Sequence, residues 1–433
     1  MPTNGTLPMS LIPDLETFLT SKPLYYKEID HERVHIAYGI LKPHIKRPTT
    51  IHIVGTNGKG STGRMIAFLA WMHGRSGSPD PDDCIPQKST MQKGDGNVGD
   101  RRARLTIGHY TSPHILKFNE RIWLNGLDAS DEMLERAHER LYGILGQEVS
   151  DGLSYFEYTT LLAFVVFEEC DLMVLEAGLG GEYDATNVCD KELSVITPIG
   201  IDHQAFLGET IEEIAATKIR SIQTKALLAP QPYPKVVEVA QEIAMNVGAT
   251  LVVAQDEIAQ NREGTHEGHP YEALQRISNQ KGWPEFLIQN ARVAMAALDI
   301  LGIPYDVNDL LSLELFGRFY PWRENIRIDV GHNPLAARAI VEAMEPGTVL
   351  IYNSLDDKDY DEVLRVLSPK LKRVEIIRID SQRAVTTEAI EASVKRTGLP
   401  YRYFGGTIHE DEHYLVFGSF YVVEAFLRNA EST

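Results

Sequence analysis

The chain runs to 433 residues, 43% of them hydrophobic and 24% charged, which predicts a globular protein of two domains. Its formal net charge of −19 argues against a nucleic-acid partner, whose phosphates it would repel. No run of about 18 apolar residues and no basic-then-apolar leader occurs, and three cysteines (Cys84, Cys170, Cys189) include no pair at metal-ligand spacing, so the expected setting is the cytoplasm and not a membrane or secretory route.

The first strong signal is Ile51-His-Ile-Val-Gly-Thr-Asn-Gly-Lys-Gly-Ser-Thr62, an apolar strand entering a glycine-rich turn. Gly55, Gly58 and Gly60 allow the backbone to turn tightly and aim its N–H groups at one point. Lys59 adds a positive charge there, and Ser61 adds a hydroxyl in what reads as the first turn of a helix over 62–73. This is a phosphate cradle with a metal ligand, although not at Walker A spacing: Ile53 stands where the first glycine belongs, and Gly60 separates Lys59 from the hydroxyl. From Arg75 to Arg104 the chain is polar and rich in Gly, Asp, Pro and Ser. Such a segment cannot repay the entropy of ordering and reads as a flexible insertion.

Ser130 to Leu145 reads as a helix capped at Ser130 or Asp131, and Leu161 to Phe167 as apolar enough for another. Asp171 to Glu176 reads as a buried strand ending in a carboxylate. Leu193 to Pro198, Lys225 to Ala229 and Thr250 to Ala254 are further strands, with a helix over 210–218. This alternation argues for a parallel doubly wound sheet whose functional residues gather at the C-terminal strand ends. An amphipathic helix over 286–301 closes the first domain, and Pro304 to Arg323 reads as a connector. A second βαβ series follows. Its strands are 326–330, 348–353, 374–379 and 414–417, its helices 335–344, 360–367 and 387–396, and a last helix comes after Ser419.

Four strand-end clusters look like parts of one site: the glycine turn, Tyr110-Thr-Ser-Pro-His114, Glu176-Ala-Gly-Leu-Gly-Gly-Glu-Tyr-Asp-Ala-Thr-Asn187 and Gly200-Ile-Asp-His203. Hydroxyl, carboxylate and imidazole around a nucleotide suit a hard divalent cation. Taken singly, Ser112 reads equally as a turn cap and His203 as a structural histidine, whereas an unpaired buried carboxylate such as Glu176 is costly.

These motifs, with Asp329-Val-Gly-His-Asn-Pro334, occur in the order of the folylpolyglutamate synthase/dihydrofolate synthase family, which the chain resembles from about Leu15 to its C-terminus, with the segment 75–104 outside the resemblance. That family belongs to the Mur ligase superfamily of ATP-dependent amide ligases. The resemblance implies an α/β fold: a Mur-ligase-like P-loop domain with a parallel sheet, binding ATP and folate, over 1–312, then a smaller Rossmann-like α/β domain over 313–433. It also implies ATP as co-substrate, two Mg²⁺ ions, L-glutamate and dihydropteroate or folate as partners, and a monomer. Carried over by position, Thr56, Asn57, Gly58, Lys59, Gly60 and Ser61 would hold the ATP phosphates, and Ser61, Ser112, Glu176 and His203 would ligate magnesium. Lys59, His203 and Lys218 would be catalytic, Lys218 as the carbamylated lysine. Asn290, Arg318, Asp329 and His332 would contact the nucleotide, and Phe156, Tyr183 and Asp184 the pterin.

The chain departs from the family pattern at Lys218-Ile-Arg220, where lysine–alanine–glycine is usual, and at Glu182, where arginine is common. It departs again at the linker Phe316-Gly-Arg-Phe-Tyr320 and at Asp329-Val-Gly-His332. The resemblance further implies an acyl phosphate made from the acceptor carboxylate and attacked by the glutamate amine. The competing readings are another Mur-type amino-acid ligase, a non-catalytic nucleotide binder and a simple P-loop kinase.

Overall fold

A computed structural model describes residues 12–23, 30, 32–73, 104–254 and 270–431. Apart from Arg104, the polar segment expected as an insertion lies outside the described residues.

The first sheet has eight strands: β1 (Thr49–Val54), β2 (Ile107–Tyr110), β3 (Ile122–Leu124), β4 (Leu127–Asp128), β5 (Leu172–Glu176), β6 (Leu193–Ile196), β7 (Lys225–Leu228) and β8 (Thr250–Val253). Their order is β4-β3-β2-β5-β1-β6-β7-β8. Six strands are parallel, while β3 and β4 form an antiparallel edge. Both faces of β1 are covered, which is why it reads as a nearly unbroken apolar run. Ile51 and Ile53 pack with the helices Lys59–Met72 and Glu285–Leu301, and Val54 packs with the helices Ile211–Ile219 and Pro234–Val247. On the same side as Val54, Met173 and Leu175 of β5 meet the helix Tyr155–Phe167.

The second sheet has β9 (Tyr320–Arg323), β10 (Ile326–Ile328), β11 (Thr348–Tyr352), β12 (Leu371–Ile376), β13 (Tyr401–Tyr403) and β14 (Tyr414–Phe417), in the order β13-β12-β11-β14-β10-β9. One face packs on the helices Pro334–Val341, Tyr360–Leu367 and Thr387–Thr397, the other on Phe420–Glu431. Leu310, Leu313 and Leu315 lie in the core of the first sheet, and Phe319 in that of the second.

Several elements differ from expectation. The connector 304–323 contains a 3₁₀ helix, Val307–Leu311, and ends in β9. Pro321 sits in β9 without conflict because this edge strand pairs on one side only. The helix Pro234–Val247 is additional. It buries Val236, Ala240 and Ala244 at four-residue spacing, so two of its three core positions are alanines that give little hydrophobic contrast. The helix expected over 130–145 extends as Asp131–Gly152, interrupted at Gly146 (φ 75°) and capped by Ser130, which accepts from Met133 N at 3.3 Å.

Candidate active site

Strand register assembles the site. Across the parallel pairs, Tyr110 lies opposite Leu175, Ile53 opposite Glu176, and Val54 opposite Ile196. The residues that follow β2, β5, β1 and β6 therefore emerge together at one edge of the sheet, facing the second domain across a cleft of about 1240 Å³. Every residue expected to bind ATP, metal or pterin lines this cleft.

The glycine turn departs from the expected cradle in one respect. Thr56 N and Asn57 N both donate to Pro198 O, at 3.0 and 3.2 Å. The Thr56 hydroxyl donates to Gly200 O at 3.1 Å and accepts from Gly200 N at 3.0 Å. Thr56 thus stitches the loop to the segment after β6, and its polar groups are not aimed at an anion. The N–H groups of Gly58 to Ser61 open the helix Lys59–Met72 without an intrahelical partner, which leaves them able to meet an anion. Gly58 is left-handed (φ 84°), and a Cβ there would meet Asn290 Oδ1 at 2.8 Å. Lys59 curls over the loop, its ammonium donating to Gly55 O at 3.2 Å and Thr56 O at 3.3 Å.

The irregular Lys59-Gly60-Ser61 ending has a packing cause. A Cβ on Gly60 would lie 3.2 Å from both Arg318 Nη2 and Glu176 Oε2, and 3.3 Å from Thr111 Oγ1. A guanidinium from the domain junction and a carboxylate from β5 thus close directly on the phosphate helix. Glu176 is 4% exposed. Its Oε2 accepts from the Thr111 hydroxyl and from Ser112 N at 3.3 Å, leaving Oε1 without a hydrogen bond from the described residues. Ser61 is buried in the first turn of the Lys59–Met72 helix. Arg318 lies over the Phe420 ring at 5.3 Å.

On the acceptor side, Asp184 turns into its own loop, accepting at Oδ1 from Thr186 N (3.0 Å) and the Thr186 hydroxyl (2.5 Å), and at Oδ2 from Leu179 N (2.8 Å). Because Thr186 spends its hydroxyl proton on Asp184, the buried His52 of β1, at 2.8 Å, must donate to it through Nε2. Sequence reasoning missed this His52–Thr186–Asp184 chain. Phe156 fills the space that Gly178 leaves, since a Cβ there would stand 2.6 Å from its ring; Tyr183 is 54% exposed at the cleft. Gly181 lies on the backbone of Lys218, where a Cβ would meet the carbonyl oxygen at 2.2 Å. Lys218 is buried, and burial, with the nearby Lys59 charge, pushes its amine down to about 7. The two unusual charges nearby are partners: Arg220 Nη1 lies 3.3 Å from Glu182 Oε2.

The second domain supplies the other wall. Asp329 accepts from Phe319 N (2.7 Å) and Gly331 N (2.6 Å), which occupies its carboxylate in shaping the junction turn, and burial pushes it up to about 6. His332 stands with Nε2 3.7 Å from Asp202 Oδ2, and burial holds its imidazole down at about 4. Asp202, unassigned from sequence, also accepts from Asn333 Nδ2 (3.1 Å) and Lys358 Nζ (2.6 Å). The amides of Asn57 and Asn333 pair across the same seam at 3.0 and 3.1 Å. Asn333 stands in the Asp329–Pro334 motif and Asp202 beside His203, though neither had an expected role, while Lys358 carries no local sequence signal.

No protein-family model matches the chain. Over its whole length, and over 100% of the other chain, it is similar to the crystal structure of Helicobacter pylori folylpolyglutamate synthetase, with 33% identity and a TM-score of 0.71. The chain belongs to the folylpolyglutamate synthase/dihydrofolate synthase family. A curated relative, the dihydrofolate synthase/folylpolyglutamate synthase of Haemophilus influenzae, is 27% identical over 384 residues, 80% of this chain and 78% of that one. The bifunctional enzyme of Yersinia pestis, solved with AMPPNP and a Mn ion, shares the fold at 23% identity, full coverage of both chains and a TM-score of 0.75. The protein is an ATP-dependent ligase of this family. No helix among the described residues is long and apolar enough to cross a membrane.

Gly60→Ala should leave folding intact, since a helical alanine is favourable, but should push Glu176 and Arg318 off the phosphate helix. These neighbours need give by only a few tenths of an ångström; a displacement near 1 Å at such groups costs about 10²-fold, so a smaller fall in kcat/KM for ATP, about threefold to tenfold, is expected with an unchanged circular-dichroism melt. Wild-type kinetics would show that the close packing at Gly60 is not needed.

Proposed function

We propose that the cleft holds ATP on the first turn of the Lys59–Met72 helix and joins the amine of L-glutamate to a carboxylate of dihydropteroate, of a folate, or of both. The observation that carries this reading is the contact of the phosphate helix with Glu176, Thr111 and Arg318 at Gly60. It puts anion donors, a buried carboxylate and a guanidinium around one point. Asn290 over Gly58, with Arg318 and His332 at the junction, would complete the nucleotide side, while Asp329 holds the turn that presents them. Phe156, Tyr183 and the loop held by Asp184 would take the pterin. The free, buried thiols Cys170 and Cys189 accord with a reducing cytoplasm, and a monomer is the family expectation.

A carboxylate acylates poorly because its leaving group would be oxide. In the reaction proposed, an acceptor carboxylate oxygen attacks the γ-phosphorus of ATP, the bond to ADP breaks, and an acyl phosphate forms. The glutamate nitrogen then attacks the carbonyl carbon, loses a proton, and the tetrahedral intermediate expels phosphate. Bringing two anions together is the obstacle, so this chain's work is positioning and charge neutralisation. Lys59 and Arg318 supply fixed positive charge, the N–H groups of Gly58 to Ser61 bind phosphate oxygens, and the second domain excludes the water that would hydrolyse the acyl phosphate.

The hydroxyls of Ser61 and Ser112, the Glu176 carboxylate with its uncommitted Oε1, and the His203 imidazole form a mostly hard donor set suited to Mg²⁺ or Mn²⁺. Two such ions, when bound, would neutralise phosphate oxygens. Lys218 would help hold the second after its amine attacks CO₂ and releases a proton to give a carbamate. Its amine, pushed down to about 7, is substantially neutral at neutral pH, the form that attack on CO₂ requires.

Two tests separate these roles. Lys59→Ala should lower kcat for glutamate ligation to dihydropteroate or tetrahydrofolate by about 10²–10³-fold, as for loss of one charge-stabilising donor; near wild-type turnover would overturn the phosphate assignment. Lys218→Ala should lose ligase activity and regain part of it when short carboxylates are added. An unimpaired variant, together with wild-type activity indifferent to bicarbonate, would rule out the carbamate.

A further inference from the structure

Lys358 follows β11 in the second domain, yet its ammonium serves the first. Its side chain is 3% exposed, and Nζ donates to Asp202 Oδ1 at 2.6 Å and to His203 Nε2 at 3.1 Å. Ligand atoms of Asp202, His203 and His332 lie within 4.8 Å of one another, as in a cation site, and this ammonium is the cation that sits against two of the three.

An ammonium can only donate, so His203 Nε2 must be the acceptor. A neutral ring that accepts at one nitrogen carries its proton on the other. The lone pair is on Nε2 and the proton on Nδ1, which faces Asp357 Oδ2 at 4.0 Å. A metal ion binds imidazole through a lone pair, and here Lys358 holds it. The ammonium does not depend on that bond, since Asp202 remains at 2.6 Å and Asp357 Oδ2 lies 3.6 Å away.

We propose that Lys358 is a resident cation that occupies the His203 lone pair while no divalent ion is bound and yields it, keeping Asp202, when one arrives. The inference rests on the reading of His203 as a metal ligand. Lys358 is thereby a positioning residue: it holds the imidazole in the Nδ1–H tautomer with Nε2 ready for metal. It also links loading of a first-domain site to a side chain of the second domain.

The test is a titration of Mn²⁺ into the nucleotide-free, full-length protein at fixed bicarbonate, followed by calorimetry, for wild type, Lys358→Met, His203→Ala and the double variant. Removing a charge-assisted hydrogen bond from the metal's competitor should tighten Mn²⁺ binding by about tenfold in Lys358→Met, and the double variant should fall back to the affinity of His203→Ala. Unchanged or weaker binding by folded Lys358→Met overturns the exchange. So does a gain that survives in the double variant, because it reports only a lost positive charge. Wild-type binding by His203→Ala would instead sink the reading of His203 as a ligand. Should Lys358→Met not fold, the ¹⁵N resonances of His203 in the wild type decide. An unprotonated Nε2 that shifts on addition of Mg²⁺ is expected; a proton on Nε2, or no shift, contradicts the proposal.

Discussion

Asp202 is a carboxylate with its side chain 7% exposed, at the seam between two domains, and the closed cleft depends on how its charge is satisfied. Burial opposes its ionisation, but His332, His203 and Lys358 outweigh burial and hold it well below the usual carboxylate range. Three groups of the second domain, Asn333, His332 and Lys358, converge on it. A buried ion pair adds little net stability against an apolar pair, whereas stripping away one partner is costly. The pairing therefore specifies one relative placement of the domains, with Arg318 held against the first turn of the Lys59–Met72 helix and His332 against Asp202.

The same logic runs through the site. Each charged group is buried only where another element meets its bonding needs: Glu176 by Thr111 and Ser112 N, Asp184 by its own loop, Asp329 by the junction turn. Lys218 is the exception, buried with no hydrogen bond or ion pair from its ammonium to the described residues, and its amine is pushed down accordingly. A group left unpaired in an otherwise satisfied site is where chemistry is expected. The glycines allow this density. At Gly60 a side chain would crowd Glu176 and Arg318, and at Gly181 the Lys218 backbone.

Much of this was legible in the amino-acid sequence where a local pattern carries the information. The helix Tyr360–Leu367 and the strand β14 match their expected bounds, and β1 with its glycine turn stands out because an apolar run, three glycines and a lysine coincide. Short edge strands such as β3 and β4 did not register, being two or three residues long, and the helix Pro234–Val247 hides behind alanines. Thr56 enters the expected phosphate loop by its place in the family motif, together with Asn57 to Ser61 and their N–H groups. The register of β1 against β6 instead brings Pro198 O within reach of two of them. Asp202 and Lys358 are 156 residues apart, a pairing that no periodicity encodes. Glu182 and Arg220 looked like two separate departures from the family pattern, and in space they are one ion pair.

The account stands on ligation through an acyl phosphate, with the cleft serving to join two anions and then exclude water. Isotope transfer tests this most directly. With an acceptor whose reacting carboxylate carries ¹⁸O at both positions, one labelled oxygen should appear in the inorganic phosphate released and the other remain in the product amide. Unlabelled phosphate formed alongside a ligated product would contradict the account, because the carboxylate would then never have been bonded to phosphorus.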